Sequence, residues 1–202
     1  RVRSSAASDV YKRQVWALSF TLNGVLNTDP VKGEKIKLTV AGDLRDWLNT
    51  DLNLSGPQRA QLSLKTQLAH AELPFSLSFQ SERLRWPLTG TVDYQLDNLN
   101  LNLAGKATDY TLQVKGNISG SAVPPTALSL EGKGNLQQFD LSPLRLLTLQ
   151  GKAELHALVD WSKAISWRSE LVLDGINTAR QWPDWPAPIQ AATSTDLAIN
   201  AG

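Results

Sequence analysis

The chain has 202 residues, 42% of them hydrophobic, enough to bury a core as one domain of ordinary size. Lys and Arg number 20 against 19 Asp and Glu, so there is no basic footprint for nucleic acid. Cysteine is absent, which excludes thiolate metal sites, disulfides and thiol catalysis and suits a bacterial envelope location, and methionine is absent too, so the sequence reads as an internal piece of a longer protein.

Residues 1–14, RVRSSAASDVYKRQ, are basic and aperiodic, with Asp9 interrupting the charge and no apolar face beside it. They read as a non-native or disordered extension rather than as an arm for anionic lipid. Residues 15–202 behave differently. Trp16, Leu18, Phe20 and Leu22 alternate with Ala17, Ser19 and Thr21, then Ile36, Leu38 and Val40 with Lys37 and Thr39. A period of two predicts strand, because successive side chains of a strand point to opposite faces. The pattern returns at Leu62/Leu64, Leu73/Phe75/Leu77/Phe79, Val92/Tyr94/Leu96, Leu99/Leu101/Leu103 and Tyr110/Leu112/Val114, and again at Leu128/Leu130, Leu155/Val159/Trp161 and Leu171/Leu173. From Lys152 to Trp161 all five odd positions are apolar and four of five even ones polar, a count that no helical stripe fits.

Turn or bulge signals separate these runs: Asn23-Gly24, Gly42-Asp43, Ser55-Gly56-Pro57, Asp97-Asn98, Gly105-Lys106, Gly116-Asn117, Pro124-Pro125, Gly151-Lys152 and Asp174-Gly175. The spacing predicts an antiparallel meander of short strands. LRDWLNT (Leu44 to Thr50), with Leu44, Trp47 and Leu48 at helical spacing, predicts a short helix, and LSPLRLL (Leu141 to Leu147) a turn. In GINTARQWPDWPAPIQ, residues 175–190, Trp182-Pro183 and Trp185-Pro186 end a strand, since proline lacks an N–H and holds the preceding residue extended.

The chemistry of catalysis is missing from the pattern. His70 and His156 each read as isolated, solvated strand residues; Gly132-Lys133-Gly134 lacks phosphate-loop spacing; no G-x-S-x-G occurs; and the carboxylates do not pair at metal-ligand or acid/base spacing. The expectation is a protein that is not an enzyme and holds no metal or cofactor. Three architectures alternate in this way: a closed sandwich, a membrane barrel, and an open sheet with one greasy and one wet face. Scattered aromatics and short strands speak against the barrel.

A resemblance favours the third. The run LLTLQGKAELHALVDWSKAISWRSELVLDGINTARQWPDWPAPI (Leu146 to Ile189) is similar to TamB-type members of the AsmA-like family, through LQGKAEL, Asp160-Trp161, the ISW that ends at Trp167, LVLDGINTA and WPDWP. Upstream repeats such as LNLAGKATDYTLQVKGNISG are of the same character. The resemblance implies a long antiparallel sheet curled into a U-shaped hydrophobic trough, the β-taco, in an inner-membrane-anchored protein that crosses the Gram-negative periplasm. It further implies phospholipid transport for outer-membrane biogenesis, with phospholipids and a TamA-like outer-membrane barrel protein as partners. The alternative it implies is a scaffold that assembles and secretes autotransporters and other barrel proteins by offering sheet edges. The groove would be lined by Leu101, Leu103, Leu112, Val114, Leu128, Leu130, Leu155, Val159, Trp161, Leu171 and Leu173, with Trp182 and Trp185 on a rim loop.

Overall fold

A computed structural model describes residues 16–27, 32–56, 58–87, 90–185 and 189–199. The extension expected at residues 1–14 lies outside the described residues. Twelve strands run in chain order: β1 (Ala17–Val25), β2 (Lys35–Asp43), β3 (Leu48–Ser55), β4 (Arg59–Thr66), β5 (Phe75–Trp86), β6 (Tyr94–Lys106), β7 (Asp109–Gly120), β8 (Thr126–Gly134), β9 (Gln138–Thr148), β10 (Gly151–Asp160), β11 (Ile165–Ile176) and β12 (Ile189–Ile199). Each pairs antiparallel with the next, so spatial order equals sequence order in a single sheet. The predicted all-β antiparallel meander is therefore the observed fold. Neither outer strand, β1 or β12, pairs with the other, and the sheet is not closed into a barrel.

Register follows the hydrophobic pattern, because a slip of one residue would exchange the two faces of a strand. β5, β6, β9 and β11 each carry a bulge that makes such a slip useful. The apolar phase of β6 jumps from Leu96 to Leu99, that of β9 from Leu141 to Leu144, and that of β11 from Leu173 to Ile176. At each place one extra residue is absorbed and the apolar residues on both sides stay on one face. Asn98 and Gly175 take the left-handed conformation there, φ 52° and 64°, which asparagine and glycine tolerate best.

Three expectations are corrected. LRDWLNT is a tight turn followed by β3: the Asp43 carboxylate accepts the Arg45 N–H at 2.8 Å, Asp43 N–H donates to the Trp47 carbonyl at 3.0 Å, and Leu48 pairs with Gly42 and Thr66. Backbone bonding across a four-residue connection leaves no room for a helical turn. LSPLRLL runs through β9 as strand, its bulge falling at Ser142-Pro143. The strands are also longer than expected, up to the 13 residues of β6, because Asp97-Asn98 is a bulge within one strand rather than a turn between two.

The interior is thin. Among the described residues no large side chain is fully buried, and the buried apolar ones, Val40, Ala60, Ala153 and Ile176, are small or medium in size. Cohesion comes from the backbone ladders and from cross-strand rows of half-buried side chains.

Candidate functional site

Residues opposite each other in an antiparallel ladder share a face, so the register traces rows across the sheet. One row reads Leu22, Leu38, Leu52, Leu62, Phe79, Leu101, Val114, Leu130, Leu144, Leu155 and Leu171, an unbroken apolar line over β1 to β11 that ends at Thr193 on β12. Ten inter-strand steps of about 4.8 Å make it roughly 48 Å long, measured along the sheet. A second row beside it contains Phe20, Val40, Leu64, Leu77, Leu103 and Leu112, and a third contains Leu128, Leu146, Ala153 and Leu173. Ten of the eleven residues expected to line a groove lie on strands of this one face, and Trp161 continues the phase of Val159 just beyond β10. Ten are half-buried and Trp161 is 41% exposed, so none is sealed in a core.

The row nearest the starts of β1, β3, β5 and β7 is aromatic. Phe75, Tyr110 and Phe139 line up with ring centroids 6.2 and 6.4 Å apart, and Trp167 on β11 extends the row beyond Val159. Aromatics that looked scattered in sequence are brought together because they alternate with Gly105 and Gly134, whose missing side chains leave space for rings. At the opposite ends of the strands, after a 3-10 turn at Thr178–Arg180, Trp182 and Trp185 pack ring on ring at 5.5 Å while 38% and 57% exposed. An outward aromatic pair of this kind suits a border between apolar surface and water.

The other face is mainly polar and cross-linked, although Leu147, Leu158 and Val172 are exposed on it. Its middle row reads Asn23, Lys37, Asn53, Gln61, Gln80, Asn100, Lys115, Ser129, Arg145 and Glu154. His156 is not isolated, contrary to expectation: one ring nitrogen lies 2.9 Å from the Ser142 hydroxyl and the other 2.9 Å from Glu154 Oε1, while Arg145 Nε donates to Glu154 Oε2 at 3.1 Å. The bulge at Ser142 creates this contact, which strand alternation alone does not foretell. The hydrogen bond from His156, then that from Arg145, holds the Glu154 carboxyl below the ordinary carboxylate range. His70 accepts the Glu72 N–H at 3.2 Å, and Lys106 bonds the Glu72 carboxylate and lowers its pKa.

A concavity of about 590 Å³ lies at the bulge of β5 and β6, lined by Arg59, Gln61, Gln80, Glu82, Asn98 and Asn100 among others, and not by the eleven groove residues. An open sheet face has few walls, so enclosed volume is a poor marker of it. Among the described residues no three His, Cys, Asp or Glu are placed to hold a metal ion, and no helix is long and apolar enough to cross a membrane.

Fold and site together define an all-β protein built as one open sheet with a single continuous apolar face. Residues 2–202 match the family described as TamB, N-terminal domain, and the chain belongs to that family. The translocation and assembly module subunit TamB of Haemophilus influenzae (strain ATCC 51907 / DSM 11121 / KW20 / Rd) is 24% identical over 156 residues. That match covers 76% of this chain and 12% of the relative, so the chain spans only a small part of its relative's length. No solved structure matches the chain.

Proposed function

We propose that the apolar face shelters phospholipid acyl chains, and that the chain is one segment of a TamB-like conduit, anchored in the inner membrane, through which lipid crosses the periplasm to the outer membrane. The unbroken row from Leu22 to Leu171 carries this reading. Each methylene exposed to water costs about 0.8 kcal/mol, so a sixteen-carbon chain left uncovered costs about 12 kcal/mol. A half-exposed apolar surface that continues from strand to strand removes most of that cost at every step and needs no catalytic group. Curling of the sheet into a trough would cover the chain from both sides, with Trp182 and Trp185 at the rim. The conduit would act with a TamA-like outer-membrane barrel protein in a translocation and assembly module.

A second reading is a scaffold for the assembly and secretion of outer-membrane proteins, favoured by the similarity to a translocation and assembly module subunit. Mass spectrometry of lipid co-purifying with the chain from the periplasm tests the first reading. Bound phospholipid is the expected result; recovery of the folded chain free of lipid contradicts it.

A further inference from the structure

We infer that the hollow where the bulges of β5 and β6 meet, on the wet face, is a binding site for an uncharged, hydroxyl-rich ligand of the N-acetylated oligosaccharide class. The hollow is built into the register. Ala60 and Arg59 are neighbours on β4, yet their partners on β5 are Ser81 and Arg83; Lys115 and Asn117 are two apart on β7, yet their partners on β6, Asn100 and Asp97, are three apart. Each of the two inner strands thus takes one residue more than its outer neighbour over the same step. Ser81 pairs with Leu99 and Arg83 with Asp97, which sets the extra residues, Glu82 and Asn98, opposite each other. A bulged strand bends, and two adjacent strands bulged at one level bow together, leaving the concavity of about 590 Å³. Bulges also re-aim side chains, and Glu82 and Asn98 both line this concavity.

The lining selects the ligand. Gln61, Gln80 and Asn100 stand in register on β4, β5 and β6, about 4.8 Å apart from strand to strand. Among the described residues the Gln61 and Gln80 carboxamides have no hydrogen-bond partner, and that of Asn100 makes one bond, at 3.2 Å to the Asn98 carbonyl. Each carboxamide offers two N–H donors and a carbonyl acceptor, the complement of a hydroxyl or an acetamido group. Arg59 and Glu82 pair at 3.3 Å and cancel, so the lining carries no net charge to draw an ion. An extended peptide is disfavoured, because β4, β5 and β6 are each paired on both sides and leave no ladder to extend. An uncharged chain of repeated hydroxyl and acetamido groups fits what remains. The hollow lies on the face opposite the long apolar row, so this inference is independent of the phospholipid reading.

Chitohexaose, an uncharged chain of N-acetylglucosamine, is the probe, titrated into the 202-residue chain and followed by the side-chain amide resonances of its Asn and Gln residues. Saturable shifts are expected at Gln61, Gln80, Asn98 and Asn100 and none at Gln113, which is on the same face outside this hollow. Gln80→Val combined with Asn100→Val removes two carboxamides from solvent-facing strand positions. With an unchanged circular dichroism spectrum it should weaken binding about tenfold or more, whereas Gln113→Val should leave binding unaltered. Glycerophosphoethanolamine serves as the zwitterionic comparison, because its charges match the exposed Arg59 and Glu82. The absence of saturable shifts with chitohexaose overturns the proposal, and the map on the unaltered chain decides this even where the double variant fails to fold. Shifts that include Gln113 equally, affinity that survives the double substitution, or a response of the hollow to glycerophosphoethanolamine alone overturn it too.

Discussion

Tyr110 on β7 lies across Gly134, its partner on β8, so closely that a Cβ at Gly134 would stand 2.5 Å from the ring Cζ. Phe139 covers Gly132 in the same manner. Glycine in a strand interior costs conformational entropy, and here an aromatic ring takes the space of the missing side chain. Gly134→Ala should displace the Tyr110 ring and disturb the row Phe75, Tyr110, Phe139. We expect a loss of about 1 to 3 kcal/mol, as for other overpacked sites, with a changed near-ultraviolet circular dichroism signal. An unaltered melting curve and spectrum would show that the ring has room to spare.

Glu34 ties two connections together. It is 4% exposed, its Oε1 accepts the Gln58 N–H, and the Gln58 side-chain oxygen accepts the Arg85 N–H at 3.2 Å. Glu34→Ala leaves the buried Gln58 N–H without its acceptor, at a cost of about 1 to 3 kcal/mol. Faster amide exchange confined to the β1–β2 and β3–β4 connections is the expected result.

Acid should weaken the polar face. Hydrogen bonds from Gln95 and then Arg83 hold Asp97 below the ordinary carboxylate range, and His156 and Arg145 do the same for Glu154. A carboxyl group depressed in the folded state stabilises it fully above the unfolded pKa, and that contribution is lost as pH falls through the folded value. Thermal midpoints should therefore decline on acidification through the carboxylate range, and less so in Asp97→Asn, whose Arg83 contact across the β5–β6 bulge no longer titrates. Both side chains are partly exposed, so the difference will be modest.

The two faces of β7 offer a paired substitution. Leu112 belongs to the apolar face and Gln113 to the wet one. On the proposed lipid path, Leu112→Arg would set a charge among acyl chains at about 2 to 4 kcal/mol, by analogy with lipid-facing barrel positions, whereas Gln113→Arg would cost almost nothing. In the full-length protein, outer-membrane integrity should fail with the first and persist with the second, at equal abundance and protease resistance. Equal effects would remove the distinction between the faces.

The division into these two faces was readable in the alternation of residues such as Lys152 to Trp161, because period two is imposed by strand geometry itself. β3 and β9 were not readable. In β3 the spacing of Leu44 and Leu48 imitated a helix, and in β9 the bulge at Ser142-Pro143 shifted the apolar phase between Leu141 and Leu144. With those strands missing, Leu52 and Leu144 could not be seen to complete the row that gives the apolar face its continuity. The partners of His156 were hidden for the same reason. Ser142 reaches it only because the bulge places them side by side, a relation between strands that no single-strand periodicity encodes.

Photo-cross-linking in the intact envelope tests the central claim most directly. Leu130 and Glu131 are neighbours in β8 with side chains on opposite faces, Leu130 in the long apolar row and Glu131 outside it. With a photoreactive side chain at each position in turn, in the full-length protein, phospholipid adducts should form at residue 130 and be absent at residue 131. Adducts at both positions, or at neither while the protein remains folded and abundant, would contradict the assignment of the apolar face as the path of the acyl chains.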